Sequence, residues 1–307
     1  MPSVDLRQRL RRMGVIRSAT NDPPLNAATV QPAVPLPGRL INNHSGPCHL
    51  VKTRYPLSKC HGDGILGDLL NCSSLTAANL AQTNHNRNID LRGMAFLDTE
   101  TTGLSGGAGT LAFLVGVGTF SGGEFILRQF FLRDPGEELG MLTELSDVLA
   151  GCSCVTTFNG RAYDVPLLKS RFTLNRRSEP FHSLEQFDLL PPARRLWRGR
   201  TTACSLGVLE QEVLGIGRGI KDVPGWLIPR IYAHHLRTGA THDIIRVIYH
   251  NAIDILSMVT LATHLLRVYS EPLAEDRSGN DCLRVALWMD DNGQNDLAED
   301  AYRAALD

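Results

Sequence analysis

A mixed α/β sheet flanked by helices, followed by a small helical appendage, is the fold class this sequence predicts. Three observations lead there. Two β-rich runs, 110–120 and 125–132, are joined by Ser121-Gly122-Gly123, which reads as a hairpin turn. Short apolar strands then alternate with helical spacing up to about residue 190. Beyond residue 200 helical periodicity dominates, and such a hairpin-first, strand–helix-later order gives a mixed sheet.

The elements follow in order. Residues 1–90 read as an N-terminal region, partly a disordered linker, with a small hairpin within 47–70. Arg7, Arg9, Arg11, Arg12 and Arg17 form a short basic amphipathic stretch opposed only by Asp5. Pro23, Pro24, Pro32, Pro35 and Pro37 disfavour both helix and central strand. A weak helix is expected over 75–82. Residues 91–270 read as the ordered domain. Strands are expected at 94–98, 110–120, 125–132, 155–158 and 184–190, and helices at 135–150, 165–172, 205–214, 226–237 and 243–269. Leu139, Leu142, Leu145 and Leu149 give the 135–150 segment its helical face. In residues 279–307, Ala286, Gly293, Ala298, Tyr302 and Ala305 sit at the small/aromatic spacing of one tetratricopeptide-like (TPR-like) helical hairpin. A single such unit cannot bury its own face, so it packs on the main domain or on another chain.

Composition narrows the function. The chain has 307 residues, 43% hydrophobic and 21% charged, which suits an ordinary globular protein. Lys and Arg (31) nearly cancel Asp and Glu (32), which excludes a globally basic coat but not a local basic face. Seven scattered cysteines, with Cys152 and Cys154 one residue apart, suit neither a disulfide framework nor a redox pair. Reduced thiols fit the cytoplasm. The opening stretch lacks the apolar core of a signal peptide, and the run 111–120 is too short to span a bilayer and carries two glycines. A cytoplasmic protein without a membrane partner is expected.

The chemistry-bearing signal is Phe96-Leu97-Asp98-Thr99-Glu100-Thr101-Thr102-Gly103-Leu104. Side chains alternate along a strand, so Asp98 and Glu100 point to one face. Carboxylates that close repel unless a cation lies between them, and hard oxygen ligands favour Mg²⁺ or Mn²⁺. The plain alternative is a polar strand end. Asp164 follows an Asn159-Gly160 turn and opens a helical run, where an Asp also serves as an N-cap. Asp254 lies inside the apolar stretch 252–256, where burial demands a partner, either a neighbouring Arg or a metal ion.

These segments resemble the DEDD (DnaQ-like) superfamily of 3′→5′ exonucleases, which share the ribonuclease H-like fold. They are closer still to the YprB-type ribonuclease H-like domain, through FLDTETTGLSGGAGT, FNGRAYDVPLL, FDLLPPARRLWR, IPRIYAHHLRTG and YHNAIDILS. The resemblance covers about residues 91–270, and more loosely 48–62. It implies that Asp98, Glu100, Asp164 and Asp254 bind two divalent ions, Mg²⁺ or Mn²⁺, and that the substrate is the 3′ end of DNA or RNA. It also implies nucleic-acid contacts from Thr101, Thr102, Gly103 and Leu104, with Asn159 and Arg161 beside them. Such enzymes carry a general base five residues (His) or four residues (Tyr) before the last acid. Here Tyr249 and His250 hold those places with the types exchanged. On a continuous helix the residue four back lies about 40° from Asp254 and the residue five back about 140°. His250 is therefore the expected base, or else a donor that holds a carboxylate. Tyr249 takes over if the helix starts only near residue 252.

Other features carry less. The loop 105–109 permits close approach to a sugar-phosphate but equally makes a simple turn. Between residues 161 and 200, Arg161, Lys169, Arg171, Arg176, Arg177, Arg194, Arg195, Arg198 and Arg200 outnumber Asp164, Glu179, Glu185 and Asp188, as a phosphate-contacting or merely solvated patch. Asp188 reads as a core or supporting acid. Cys48-His49 and Cys60-His61 lack zinc-ligand spacing, His234-His235 reads as helix surface, and Cys204 has no nucleophile motif. Two rival functions remain: a non-catalytic nucleic-acid-binding module on the same fold, and an interaction protein that recruits a partner through residues 279–307.

Overall fold

The computed structural model describes residues 34–82, 88–103, 109–274 and 278–306. The basic N-terminal stretch, Pro23, Pro24, Pro32, Leu104 and residues 105–108 of the glycine-rich loop lie outside the described residues.

Strands β1 (Arg39–Asn43) and β2 (Gly46–Pro56) form a hairpin, and β3 (Cys60–His61) pairs with β4 (Gly64–Ile65) in a separate two-stranded ribbon. Helix α1 (Ser74–Ala81) is capped by the Ser73 hydroxyl, which accepts the Thr76 N–H. Next come β5 (Met94–Thr101), β6 (Ala112–Ser121), β7 (Glu124–Phe131), α2 (Glu138–Leu149), β8 (Cys154–Thr157), α3 (Asp164–Leu174) and β9 (Glu185–Asp188). Helices α4 (Leu190–Trp197), α5 (Leu206–Glu212), α6 (Ile228–Thr238), α7 (His242–Ser270), α8 (Gly279–Asp291) and α9 (Asn295–Ala304) complete the chain.

The main sheet has seven strands in the order β1-β2-β7-β6-β5-β8-β9. The pairs from β1 to β5 are antiparallel, whereas β5-β8 and β8-β9 are parallel. Ser121 pairs with Glu124 across Gly122 and Gly123, both at positive φ (61° and 80°), as a two-residue hairpin requires.

The sheet separates two apolar cores. Phe96, Phe125, Leu127 and Phe187 meet the C-terminal half of α7 with α1, α4 and α8 on one face. Ala95, Leu97, Val115 and Phe130 meet α2, α3 and α6 on the other. Helix α7 is 29 residues long and apolar enough by composition to cross a membrane, but most of it is buried inside the fold as a core helix. It lies close over β6 because Gly116 and Gly118 have no side chains. A Cβ on Gly116 would sit 2.2 Å from Asn251 Oδ1, and one on Gly118 2.7 Å from Ile255 Cγ2.

Three departures from the sequence reading have physical causes. Residues 39–56 belong to the main sheet rather than to a separate N-terminal region, because β2 pairs with β7 from His49 to Pro56; the small hairpin expected within 47–70 is the β3–β4 ribbon. Helix α4 was not expected: its first turn holds Pro191 and Pro192, a residue type that breaks a helix interior. At the first turn of a helix, however, the missing N–H has no partner to lose. His235 is buried rather than on the helix surface. Its ring packs against Phe131 and Tyr232, and its Nδ1 lies 2.8 Å from the Ala240 carbonyl.

The tail helices pack on the main body. Trp288 of α8 meets Tyr269 edge-on, and Arg200, just after α4, is ion-paired with Asp281.

Candidate functional site

The site forms at the C-terminal ends of the parallel strands, where open α/β sheets place their ligands. Asp98 and Glu100 lie at the end of β5 and, two residues apart, share the face covered by α7. A register shift at Glu100/Thr101 ends the regular pairing with β6 at this point. Asp164 opens α3, with Tyr163 rather than Asp164 in the N-cap position and no side-chain capping bond. Instead the Thr99 hydroxyl donates to Asp164 Oδ1 at 2.5 Å. Asp254 comes from α7, which runs unbroken from His242.

Burial pushes the carboxyl of Asp98 well above its ordinary range, and Asp254 and Asp164 push it further. Glu100 is raised in the same way, by burial and then by Asp98, Asp254 and Asp164. Asp164 is pushed up to about 6 by burial, against the hydrogen bonds from Thr99. Asp254 is also raised by burial, against the opposing pull of His250 and Arg218. Burial raises all four, and at Asp98 and Glu100 the neighbouring acids add to it beyond what Arg218 offsets, which is the environment a divalent cation relieves.

His250 is brought into the cluster and Tyr249 is not. His250 Nε2 lies 3.4 Å from Asp254 Oδ2 and 3.9 Å from Glu100 Oε1. Glu100, His250 and Asp254 each offer a ligand atom, all within 4.8 Å of one another. Tyr249, one residue away, is 38% exposed.

Several members of the site escaped sequence reading. Asp222 Oδ1 is 2.6 Å from His250 Nδ1. If Nδ1 donates to this carboxylate, Nε2 is left with its lone pair toward the acids, and the 3.0 Å contact from Arg218 Nη1 to Nδ1 is not a hydrogen bond. Burial works against the Asp222 charge, but the hydrogen bond and charge of His250, with Arg218, hold it below the usual carboxylate range. Arg218 donates to Asp254 Oδ1 and is anchored by Glu210, through Nε to Oε2 and through Nη2 to Oε1 at 2.8 Å. Its Nη1 also lies 3.3 Å from Asp222 Oδ2. On the other flank, Asn251 Nδ2 donates to Asp98 Oδ2 at 2.8 Å, and Gln129 Nε2 donates to Asn251 Oδ1 at 2.9 Å. Gly116, which pairs with Asp98 in the sheet, leaves the space that Asn251 occupies.

The expected nucleic-acid contacts are ordered by bonds of their own. Thr101 Oγ1 donates to the Gly103 carbonyl at 2.9 Å, and Thr102 Oγ1 accepts the Leu111 N–H at 3.0 Å. Asn159 is left-handed (φ 66°), and its N–H donates to Asp188 Oδ1 at 2.7 Å. Asp188 also accepts the N–H groups of Arg161 and Leu190, so it fixes the turn between β8 and α3. The Arg161 guanidinium donates to the carbonyls of Gln186 (2.7 Å) and Ala81 (3.2 Å). Away from the site, His49 Nε2 contacts the Pro37 carbonyl and His61 Nε2 contacts Ser257 Oγ.

Comparison with known proteins agrees with this geometry. A family model described as the RNase_H superfamily matches residues 95–266, which include all four acids. An uncharacterised protein, YprB, of Bacillus subtilis (strain 168) is 33% identical over 254 residues, covering 82% of this chain and 61% of that protein. The matched part is thus less than two thirds of the relative's length. The chain belongs to the RNase H superfamily, as a YprB-type member with the mixed, helix-flanked sheet of that fold.

Proposed function

We propose that the chain is a metal-dependent nuclease that hydrolyses phosphodiester bonds of DNA or RNA, working from the 3′ end toward the 5′ end. The observation that carries this reading is the convergence of Asp98, Glu100, Asp164 and Asp254, three elements and about 150 residues apart in sequence, into one buried cluster short of positive charge. Its donors are carboxylate oxygens with one imidazole at the side, a set that suits Mg²⁺ or Mn²⁺. Two such ions would supply positive charge to the phosphate and acidity to a water molecule. The 3′→5′ direction is supported by the order of the four acids, which resembles that of DEDD exonucleases.

The protein's own residues then have distinct tasks. Arg218 holds one oxygen of Asp254 and leaves Oδ2 facing Glu100 and His250. Asn251, held by Gln129, fixes Asp98. His250, with its Nδ1 on Asp222, presents Nε2 to take the proton of the attacking water. Tyr249 has no part in this step.

The test compares wild type with Asp98→Ala, His250→Ala and Tyr249→Phe on single-stranded DNA and RNA labelled at the 5′ end, with Mn²⁺. A ladder shortening from the 3′ end is expected from wild type and Tyr249→Phe. Asp98→Ala should give none, and His250→Ala a rate lower by about 10²-fold or more. Equal degradation by wild type and Asp98→Ala would refute the proposal. Binding without degradation by wild type would favour a non-catalytic module.

A further inference from the structure

The basic stretch between residues 161 and 200 does not form one patch. Arg171 is ion-paired with Glu138, Lys169 with Glu179 and Arg200 with Asp281, while Arg177 donates to Ser45 and Arg161 to backbone carbonyls. The arginines of α4 are arranged differently. Arg194 lies in the last turn of α4, and Arg198, four residues further on, is its C-cap. With Pro191, Arg195, Gly199 and Arg284 of α8 they line a cleft of about 530 Å³. Every charged side chain in that lining is an arginine. Arg195 is engaged by the Tyr269 hydroxyl. Arg194, Arg198 and Arg284 have no ion pair among the described residues, and all three are exposed.

Like charges at this spacing repel, and the fold holds them together across two elements that are fastened alongside by the Arg200–Asp281 pair. Gly199 closes α4 at φ 82°, and a Cβ there would meet nothing within 4 Å, so the cleft is open at that end. Such a cluster is satisfied by a ligand that presents several phosphates in a row, because a guanidinium fork matches phosphate oxygens bidentately.

We propose that the cleft between α4 and α8 binds the phosphodiester backbone of a single-stranded nucleic acid, with Arg194, Arg198 and Arg284 as its phosphate contacts. The inference rests on the reading of the chain as a nucleic-acid enzyme and adds a second attachment point outside the acid cluster. It gives the tail a task in substrate binding, since Arg284 belongs to α8. The cleft stands off from the acids: Arg195 meets Tyr269, which lies fifteen residues, or about 22 Å, along α7 from Asp254, so a strand that reaches both spans roughly that distance.

The experiment measures binding of fluorescein-labelled 20-mers of single-stranded DNA and RNA by anisotropy in EDTA, across a salt series. Proteins are wild type, the triple variant Arg194→Gln/Arg198→Gln/Arg284→Gln, and the single variant Arg284→Glu, whose exposed position makes folding safe. The triple variant should bind at least about tenfold more weakly at 0.1 M salt. Its slope of log K against log salt should fall by about 2, the share of three phosphate contacts on a single strand. Arg284→Glu should show a smaller loss of the same kind. Unchanged affinity and slope in both arginine variants would overturn the proposal while leaving the nuclease reading intact. Loss of binding in the triple variant, with no Mn²⁺-dependent degradation by wild type, would sink the nuclease reading and keep the cleft. Displacement of the oligonucleotide by poly-glutamate at equal charge concentration would overturn the proposal in favour of an acidic protein partner.

Discussion

Two groups of buried carboxylates stand in different parts of the fold, one at the head of α2 and one where β5, α3 and α7 meet, and the fold treats them differently. At the head of α2, Glu138 receives Arg171 Nε and Nη2 at 2.5 and 2.7 Å, and Asn175 Nδ2 at 2.9 Å. Its neighbour Glu137 accepts from Arg133 Nε at 3.0 Å and from the Arg133 backbone N–H at 3.2 Å. Each acid there has its own guanidinium. In the cluster of Asp98, Glu100, Asp164 and Asp254, a single guanidinium among the described residues is bonded to a single acid, and Arg218 is already bound to Glu210 and Asp222. Taking an ionised carboxylate out of water costs several kcal/mol unless it is paired. The first group is a finished structural device. The second is in deficit, and that deficit, more than the identity of any one acid, marks it as a place for added cations.

The contrast is broken most directly by removing a cation from the finished group. Arg171→Met leaves Glu138 buried with only an amide donor, and a loss of about 3–5 kcal/mol is expected in urea unfolding. Mn²⁺ affinity, measured by titration calorimetry, should not change. At the deficient group the opposite is expected. Glu100→Gln keeps the shape and removes one repelling charge, so the metal-free protein should gain about 1 kcal/mol while hydrolysis falls about 10²–10³-fold. If Glu100→Gln destabilises as Arg171→Met does, the two groups are alike and the argument from deficit fails.

The next effect is in pH. Asp164 rises from an ordinary value of 3.8 to about 6 on folding, and Asp98 and Glu100 are also raised. Carboxyls raised in the folded state bind protons more tightly there. Their contribution to stability is fully present below the unfolded value and is lost as pH rises through about 6 and beyond. Calorimetric scans in EDTA should therefore show these groups lowering the melting temperature between pH 5 and 7.5. At pH 7.5, Mn²⁺ at a hundredfold excess over its Kd adds about 2.7 kcal/mol, or roughly 4 °C for a chain of this size. The increment should be smaller at pH 5, where protons already neutralise the acids, and smaller again in Glu100→Gln. A melting temperature indifferent to Mn²⁺ at both pH values would remove the cation site.

What was legible in the sequence was whatever obeys a local period. Asp98 and Glu100 share a face because strands repeat every two residues, and His250 rather than Tyr249 faces Asp254 because helices repeat every 3.6. That second inference needed a continuous α7, and the helix does begin at His242. The partners of the acids obey no period. Gln129 lies on β7 and reaches Asn251 across 122 residues, while Arg218 and Asp222 come from an irregular stretch between α5 and α6. Gly116 carries a signal only once the register sets it opposite Asp98 and beneath Asn251. The sequence reading had allowed Asp254 either an arginine or a metal ion as partner. The structure supplies the arginine on one oxygen and leaves the other beside Glu100 and His250, so the two options are not exclusive.

The smallest expected effect tests the part of the site that no period reveals. Asp222 touches His250 Nδ1 at 2.6 Å and contacts none of the four acids by hydrogen bond or ion pair among the described residues. If it only fastens the loop, Asp222→Asn should change stability and little else. If it holds the ring with Nε2 toward the reacting water, the substitution keeps an acceptor oxygen but removes the charge that favours one tautomer. The turnover rate should then drop about 10- to 100-fold with KM and Mn²⁺ affinity unchanged, since supporting partners of this kind contribute effects of that size. The loss should also disappear in a His250→Ala background, where there is no ring left to orient, whereas a loss through loop disorder would persist there. A drop that persists would assign Asp222 to the fold and leave His250 oriented by Arg218 and the acids alone.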